Sequence, residues 1–338
     1  MSHAGRLVLV LAVIGTGLVA VAAVAVFLGS ARVAPSSVLA ALVGSAGADS
    51  TERVVVLSLR LPRIAAAVVA GGALAVAGVG FQALTRNPLA EPSVLGVSSG
   101  AAFGVVVAQL AGGHTGVADS LRLTLFGFGG ALLAGAAVYA IAATTAGLPI
   151  QTLLLAGVIV SIFFASATTV LTSLVDIDRL GGVVHWLLGN VSPIPPGSLA
   201  VFAALAALGF WLVVGRARQL NVLALGEEAA MQLGVNAERL KVRIFAGAAL
   251  LTGSVVAFAG PIGFVGLVVP HVLRLVLGPD NRLLVPAAML AGGTFLLVAD
   301  TLARNVVAPA ELSVGVITSF CGAPVFIYVL RTRWRGGA

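Results

Sequence analysis

The charged side chains of this sequence are few, and many of them stand together. Arg216, Arg218, Glu227, Glu228, Glu238, Arg239, Lys241 and Arg243 all fall within residues 216–243 of a chain that is only 9% charged. Side chains of both signs at that density can pair and can dock a partner, but their spacing supports no bond chemistry. Lys241 is the single lysine, and no G-x-x-x-x-G-K-[ST] phosphate loop surrounds it. There is no credible Ser/His/Asp set, no H-E-x-x-H and no cluster of acids inside an apolar run. His3, His114, His185 and His271 lack ligand spacing, and Cys321 stands alone, so no metal site is expected. Asp300 is the one acid near the interior of a long apolar segment, and Arg304 can pair with it at i,i+4. A proton-coupled carrier would show a buried acid or histidine relay. Energy is therefore expected to arrive from a partner docked on residues 216–243, and the chain itself reads as no enzyme.

The elements that position these residues are membrane helices. The chain is 59% hydrophobic, with a mean hydropathy of +1.13, whereas a soluble domain would be about a quarter charged. The apolar runs are long and continuous, without the alternation of a β-barrel, and 42 glycines suit close helix packing. The net charge of +7 is spread over loops, as membrane topology requires, which disfavours a nucleic-acid partner.

Spans are expected at residues 7–29, 62–84, 93–110, 121–143, 152–174, 198–214, 244–260, 283–302 and 313–330. Residues 264–277, with Pro270 inside, form a short and broken further span. A cleaved signal peptide is the alternative for 7–29. Residues 30–59 read as an outside loop with a short helix, and Pro62 as the start signal of the second span. Residues 144–151 read as a short loop. Residues 176–190 form an external amphipathic helix, where His185 and Trp186 either face a pathway or only the surface. Residues 216–243 read as two helical pieces broken at Gly226 and Gly234. Ten crossings put both termini on one side, and a cytoplasmic N-terminus places most basic residues inside. The spans of 62–174 and 244–330 form two groups of four, each with a Gly/Pro break near its first helix. They start on opposite sides, which suggests an inverted repeat.

A resemblance adds to this reading. It rests on residues 60–63 (RLPR), 86–92 (RNPLAEP) with 95–100 (LGVSSG), 225–235 (LGEEAAMQLGV), 260–271 (GPIGFVGLVVPH), and 311–318 (ELSVGVIT) with 322–324 (GAP). In this order they resemble the FecCD family, the permease subunits of type II ABC importers for iron-siderophores, haem and vitamin B12. The resemblance implies one transmembrane permease domain over 1–338, with a cytoplasmic coupling loop at 215–243, in a bacterial inner membrane. It further implies a second permease subunit, identical or related, two cytoplasmic ATPase subunits and an extracytoplasmic binding protein. ATP and magnesium would sit on the ATPases, and no cofactor on this chain. The cargo would be an iron chelate moved inward by alternating access, with haem or vitamin B12 as alternatives. A secondary carrier driven by an ion gradient is the competing class.

Site residues follow by position within the resemblance. Leu225, Gly226, Glu227, Glu228, Ala229, Met231, Leu233 and Gly234 match the element that sits in a cleft of the ATPase. The alternative is a solvated basic loop. Arg60, Arg63 and Arg304 match arginines at the outer ends of spans that pair with acidic residues of the binding protein. Interfacial anchoring, or pairing of Arg304 with Asp300, is the plainer reading. Ile150 and Gln151 match a loop that narrows the cytoplasmic exit, although the family commonly has small or polar residues where Ile150 stands. Ser313 replaces a frequent proline, which should alter only the start of the last span. Glu91 is a candidate ATPase contact, and Asn87 and Pro88 shape a turn.

Overall fold

The computed structural model describes residues 3–45, 49–111, 117–145, 147–175, 177–192 and 194–335. Helices dominate, and the only bridge among the described residues is an isolated one between Thr144 and Gly147. In chain order the helices are α1 (His3–Phe27), α2 (Pro35–Val43), α3 (Ser50–Arg53) and α4 (Leu61–Thr85). There follow α5 (Val97–Leu110), α6 (Val117–Ala142), α7 (Ile150–Thr172), α8 (Ile177–Leu187), α9 (Pro196–Val214) and α10 (Ala217–Leu223). The chain continues through α11 (Glu227–Gln232), α12 (Ala237–Ala259), α13 (Val265–Leu277), α14 (Asn281–Asn305) and α15 (Val314–Arg335).

Among the described residues, seven helical stretches are long and apolar enough to cross a membrane, and α5, α13 and the described apolar part of α15 are shorter apolar helices. The span foreseen at 93–110 shortens to α5, whereas that foreseen at 264–277 keeps almost its full extent in α13. Pro92–Leu95 forms a separate 3₁₀ turn before α5, and Gly260 ends α12 with φ +70°. The piece at 264–277 is not broken. Pro270 sits inside continuous α13, and Gln82 Nε2 approaches the carbonyls of Gly266 and Leu267 at 3.5 and 3.4 Å. A proline at 270 leaves the Gly266 carbonyl without its i+4 amide, so the buried carboxamide takes the place of the lost donor.

Pro62 is not a start signal either. The helix runs unbroken from α3 into α4, because Val54–Arg60 widens into a π-helix in which the Leu61 amide bonds to the Val56 carbonyl. The wider turn relieves the clash that a proline ring meets within a regular α-helix. The expected outside loop at 30–59 thus shortens, and its second half becomes the first turns of a longer span.

α4 is the axis of the molecule. Most of its residues from Arg63 to Leu84 are buried, against α14, α12, α13 and α9. A Cβ at Gly71 would overlap the Gly292 carbonyl of α14, and one at Gly78 would overlap the Gly266 carbonyl of α13. Only hydrogen at those positions lets the backbones meet this closely. Gly78→Val is expected to abolish the monodisperse peak of the detergent-purified protein. A wild-type elution profile would contradict this packing.

The two groups of four helices pack reciprocally. The first helix of each group, α4 or α12, lies on the third helix of the other, α14 or α6. The second helices, α5 and α13, are the short ones in both groups, with 14 and 13 residues. This correspondence is the pattern an internal repeat produces.

Candidate functional site

Residues at the two ends of the long helices α4 and α14 form two polar assemblies. Arg63 and Arg86 bound α4, and Asp280 and Arg304 bound α14, so helical rise separates the assemblies by about 35 Å.

The first assembly is the polar element between α9 and α12. It has the two pieces expected, α10 and α11, separated at Gly226. Residues from Ala237 onward, however, belong to α12, so the independent element ends near Asn236, whose side chain accepts from the Arg239 amide at 2.9 Å. Gly226 adopts φ +117° and ψ 158°, a conformation strongly disfavoured for other residues, and it re-aims the chain from α10 into α11. Gly234, at φ +79°, turns the chain again. Between them Glu227 and Glu228 occupy the first turn of α11, where a helix favours negative charge.

This element is bonded to the ends of three membrane helices. Asn221 of α10 donates to Asp280 at 2.6 Å and accepts from the Asn281 amide at 2.8 Å, which holds the start of α14. Glu227 pairs with Arg86, the left-handed cap of α4, at 3.4 Å. Glu227 also accepts from Lys241 at 2.9 Å. Lys241 is buried; it pairs with Glu238 as well and donates to the Leu148 carbonyl at 2.9 Å. Glu238 in turn accepts from the Leu148 amide at 2.6 Å. Both backbone groups of Leu148, two residues before α7, are therefore clamped by the first turns of α12, which Glu227 of the element holds through Lys241.

Ile150 and Gln151 are the first residues of α7 and not part of a loop, because Pro149 is the extended residue that caps the helix. Ile150 is half-buried and Gln151 exposed. The structure nevertheless brings them to the polar element: Ile150, Gln151, Arg86, Glu227, Glu238 and Lys241 share one cavity of about 380 Å³. Of the other residues in the predicted set, Ala229 is half-buried and Glu228 and Gly234 exposed. Leu225, Met231 and Leu233 are 70%, 60% and 64% exposed, large apolar side chains left open while Leu220, Leu223 and Ala230 of the same element are buried.

The second assembly holds Arg60, Arg63 and Arg304, whose side chains turn into the protein. All three are buried, at 4%, 6% and 3% exposure. Arg60 donates to the carbonyls of Val26 and Ala31 at 2.7 and 2.6 Å, tying the end of α1 to the π-helix. Arg63 contacts Asp300 at 2.9 Å and Glu311 at 2.8 Å. Arg304 Nε lies 3.0 Å from the other Asp300 oxygen. Asp300 is fully buried, so its carboxylate is shared between two guanidinium groups. A buried carboxylate without partners would be far too costly, which is why the arginines turn inward. Ser30 completes the cluster by donating to Glu311 at 2.7 Å. Burial pushes the Glu311 carboxyl up, but the hydrogen bonds from Ser30 and Arg63 and the nearby arginine charges outweigh it. Its pKa lies below the ordinary glutamate range.

Glu91 is also engaged internally. It accepts from the Phe264 amide at 2.9 Å, fixing a residue with φ +67° at the start of α13. Asn87 shapes the turn as expected, accepting from the Leu89 amide at 3.0 Å. His185 is exposed on α8, 3.2 Å from the Asn190 side chain, while Trp186 packs on the core. No group of His, Cys, Asp and Glu among the described residues could hold a metal ion.

Fold and sites together define a multi-pass, all-helical membrane protein whose polar element grips the ends of its own spans. The chain belongs to the FecCD transport family, whose model matches residues 17–332. It is 42% identical over 87% of its length to the uncharacterized ABC transporter permease protein YvrB of Bacillus subtilis, covering 84% of that protein. It is 41% identical over 85% of its length to the cobalamin import system permease protein BtuC of Halobacterium salinarum, covering 76% of it. The hemin transport system permease protein HmuU of Yersinia pestis is 42% identical, with 82% of this chain and 83% of the relative aligned. Among solved structures, a metal-chelate type ABC transporter in an inward-facing conformation matches with a TM-score of 0.80 and 30% identity, over 96% of this chain and 99% of that one. The chain is accordingly a permease of the ABC importer class.

Proposed function

We propose that this chain moves a metal chelate, with an iron-siderophore as the first candidate, inward across the plasma membrane. The work would come from two cytoplasmic ATPase subunits that seat on Leu225–Gly234, the ATP and magnesium remaining on those subunits. A second permease subunit, identical or related, would complete the pathway, and an external binding protein would deliver the cargo. In this arrangement both termini and the coupling element face the cytoplasm. The relatives named for cobalamin and for hemin support the metal-chelate class without choosing among its members.

One observation carries the reading. Leu225, Met231 and Leu233 are large, apolar and exposed on an element that is bonded to the ends of α14, α4 and α12. Apolar side chains held out from a rigid polar support are the ordinary anchor of a protein partner. Movement of that partner would pull on Leu148 through Lys241, and so on the start of α7 and the cavity beside Ile150 and Gln151. Such a displacement is a shear of packed helices, the kind of step that alternating access requires.

The test is uptake into vesicles carrying this chain with its ATPase and binding protein, offered an iron-siderophore, haem or cobalamin, with and without ATP. ATP-dependent accumulation of one chelate is expected. Accumulation driven by an ion gradient with no ATPase present would overturn the reading. In the same assay, Gly226→Trp combined with Gly234→Trp should abolish uptake while membrane insertion is retained. A Cβ at either glycine meets nothing within 4 Å, so the loss would come from the docking face and the backbone angle and not from core packing. Normal uptake by that double variant would contradict the docking assignment.

A further inference from the structure

Two adjoining cavities of about 330 Å³ each open between α6 and α12. Tyr139 and Val242 line both, so they make one continuous groove. The part nearer the middle of the two helices is apolar, walled by Leu132, Phe245 and Ala249, with the Tyr139 and Phe245 rings 6.3 Å apart. The mouth lies at the first turns of α12, where Arg239 and Arg243 stand one helical turn apart on a single face. Both side chains are exposed, and neither guanidinium has a partner among the described residues. The Tyr139 hydroxyl at the junction likewise makes no hydrogen bond there. The one acid at the mouth, Glu238, is already engaged by Lys241 and by the Leu148 amide.

We propose that this groove binds an anionic phospholipid. α6 and α12 are both long and apolar enough to cross a membrane, so the groove runs from the polar interface into the hydrocarbon. An acyl chain suits the apolar slot, and the lipid phosphate suits the two free guanidinium groups at its mouth. The N-terminus of α12 adds its positive end to the same place. Arginine forks match phosphate oxygens closely. The site lies beside the Glu238–Lys241 contact, so an occupied groove would also stiffen the link between the coupling element and α7. The proposal rests on the membrane placement of these helices and not on which chelate is carried.

The test uses the full transporter, this chain with its ATPase subunits, in nanodiscs of equal phosphatidylglycerol and phosphatidylcholine. Retained lipid is counted by native mass spectrometry after mild extraction. The wild type should retain phosphatidylglycerol over phosphatidylcholine by about thirtyfold, the scale expected of two arginines near an anionic headgroup. Arg239→Gln with Arg243→Gln should bring the two lipids to parity. Gly135→Leu should fill the slot and remove one bound lipid. It is a tolerable change, because a Cβ there meets only the side chains of Ala249 and Val97 at 3.8 and 3.9 Å. Equal retention of both lipids by the wild type, or an unchanged preference in the arginine double variant, would overturn the proposal. So would a Gly135→Leu variant that splits the permease dimer with its lipid count unaltered, since the groove would then be a subunit interface.

Discussion

Lys241→Met is expected to lower ATP-driven uptake about tenfold or more while the complex still assembles and still hydrolyses ATP. The ammonium group is buried and touches three things at once: Glu227 of the polar element, Glu238 of its own helix, and the Leu148 carbonyl ahead of α7. Its two carboxylate partners keep 32% and 41% exposure, so after the substitution they can turn to water. The stability cost should therefore stay near the range of a lost charged hydrogen bond, about 1.5–3 kcal/mol. What disappears is the connection between the element that a partner would move and the backbone it would move. A coupling of about 1–2 kcal/mol carried by one link corresponds to a factor of roughly 5–30 in the coupled process. Measured ATP hydrolysis separates the two effects, because a merely unstable protein would lose hydrolysis and uptake together. Uptake at the wild-type rate would show that the Glu227–Lys241–Leu148 chain transmits nothing.

Asp300→Asn should produce the largest loss of stability of any single substitution in the second assembly. The change is isosteric, yet it removes the one charge that holds Arg63 and Arg304 together inside the protein. Glu311 remains beside Arg63, but it lies on the rim with 29% of its side chain exposed. Breaking a buried ion pair by removing one partner costs about 3–5 kcal/mol, since the other charge stays buried without compensation. For a chain of this size that is a fall in unfolding temperature on the order of 5–10 °C. A thermal melt of the detergent-solubilised variant measures it. A melting temperature equal to the wild type would mean that the cluster contributes little and that its arginines are free for other uses.

Much of this architecture was legible in the order of residues alone. Most of the apolar helices follow from long uninterrupted runs, while the short one at 264–277 reads as broken at Pro270 and is continuous. The polar element follows because Arg216, Arg218, Glu227 and Glu228 have no place in hydrocarbon, and its two breaks follow from Gly226 and Gly234; Glu238 and Lys241 instead open α12. Three features were not legible, each for a physical reason. The π-helix at Val54–Arg60 depends on how the backbone reaches Pro62, and the same proline reads equally well as a helix start. Arg63 and Asp300 are 237 positions apart, and an arginine at a span end looks the same whether it faces outward or inward. The lone acid in the span at 281–305 did signal a buried pair, and Arg304 was found that way. Its second partner needed the packing of α4 on α14. Likewise Lys241 was conspicuous as the only lysine, but nothing local announces that it reaches the backbone of Leu148, 93 positions away. The residues of the polar element are legible locally, whereas their shared cavity with Ile150 and Gln151 depends on tertiary contacts.

The central claim is that Leu225, Met231 and Leu233 are the seat of an ATPase, and photo-crosslinking tests it most directly. A photoreactive residue is placed singly at each of these positions in the reconstituted transporter, and at exposed Trp211 on α9 as a control. Crosslinks to the ATPase subunit from all three positions and none from Trp211 are the predicted result. Absence of any crosslink from the three, in a complex shown to contain the ATPase, would contradict it.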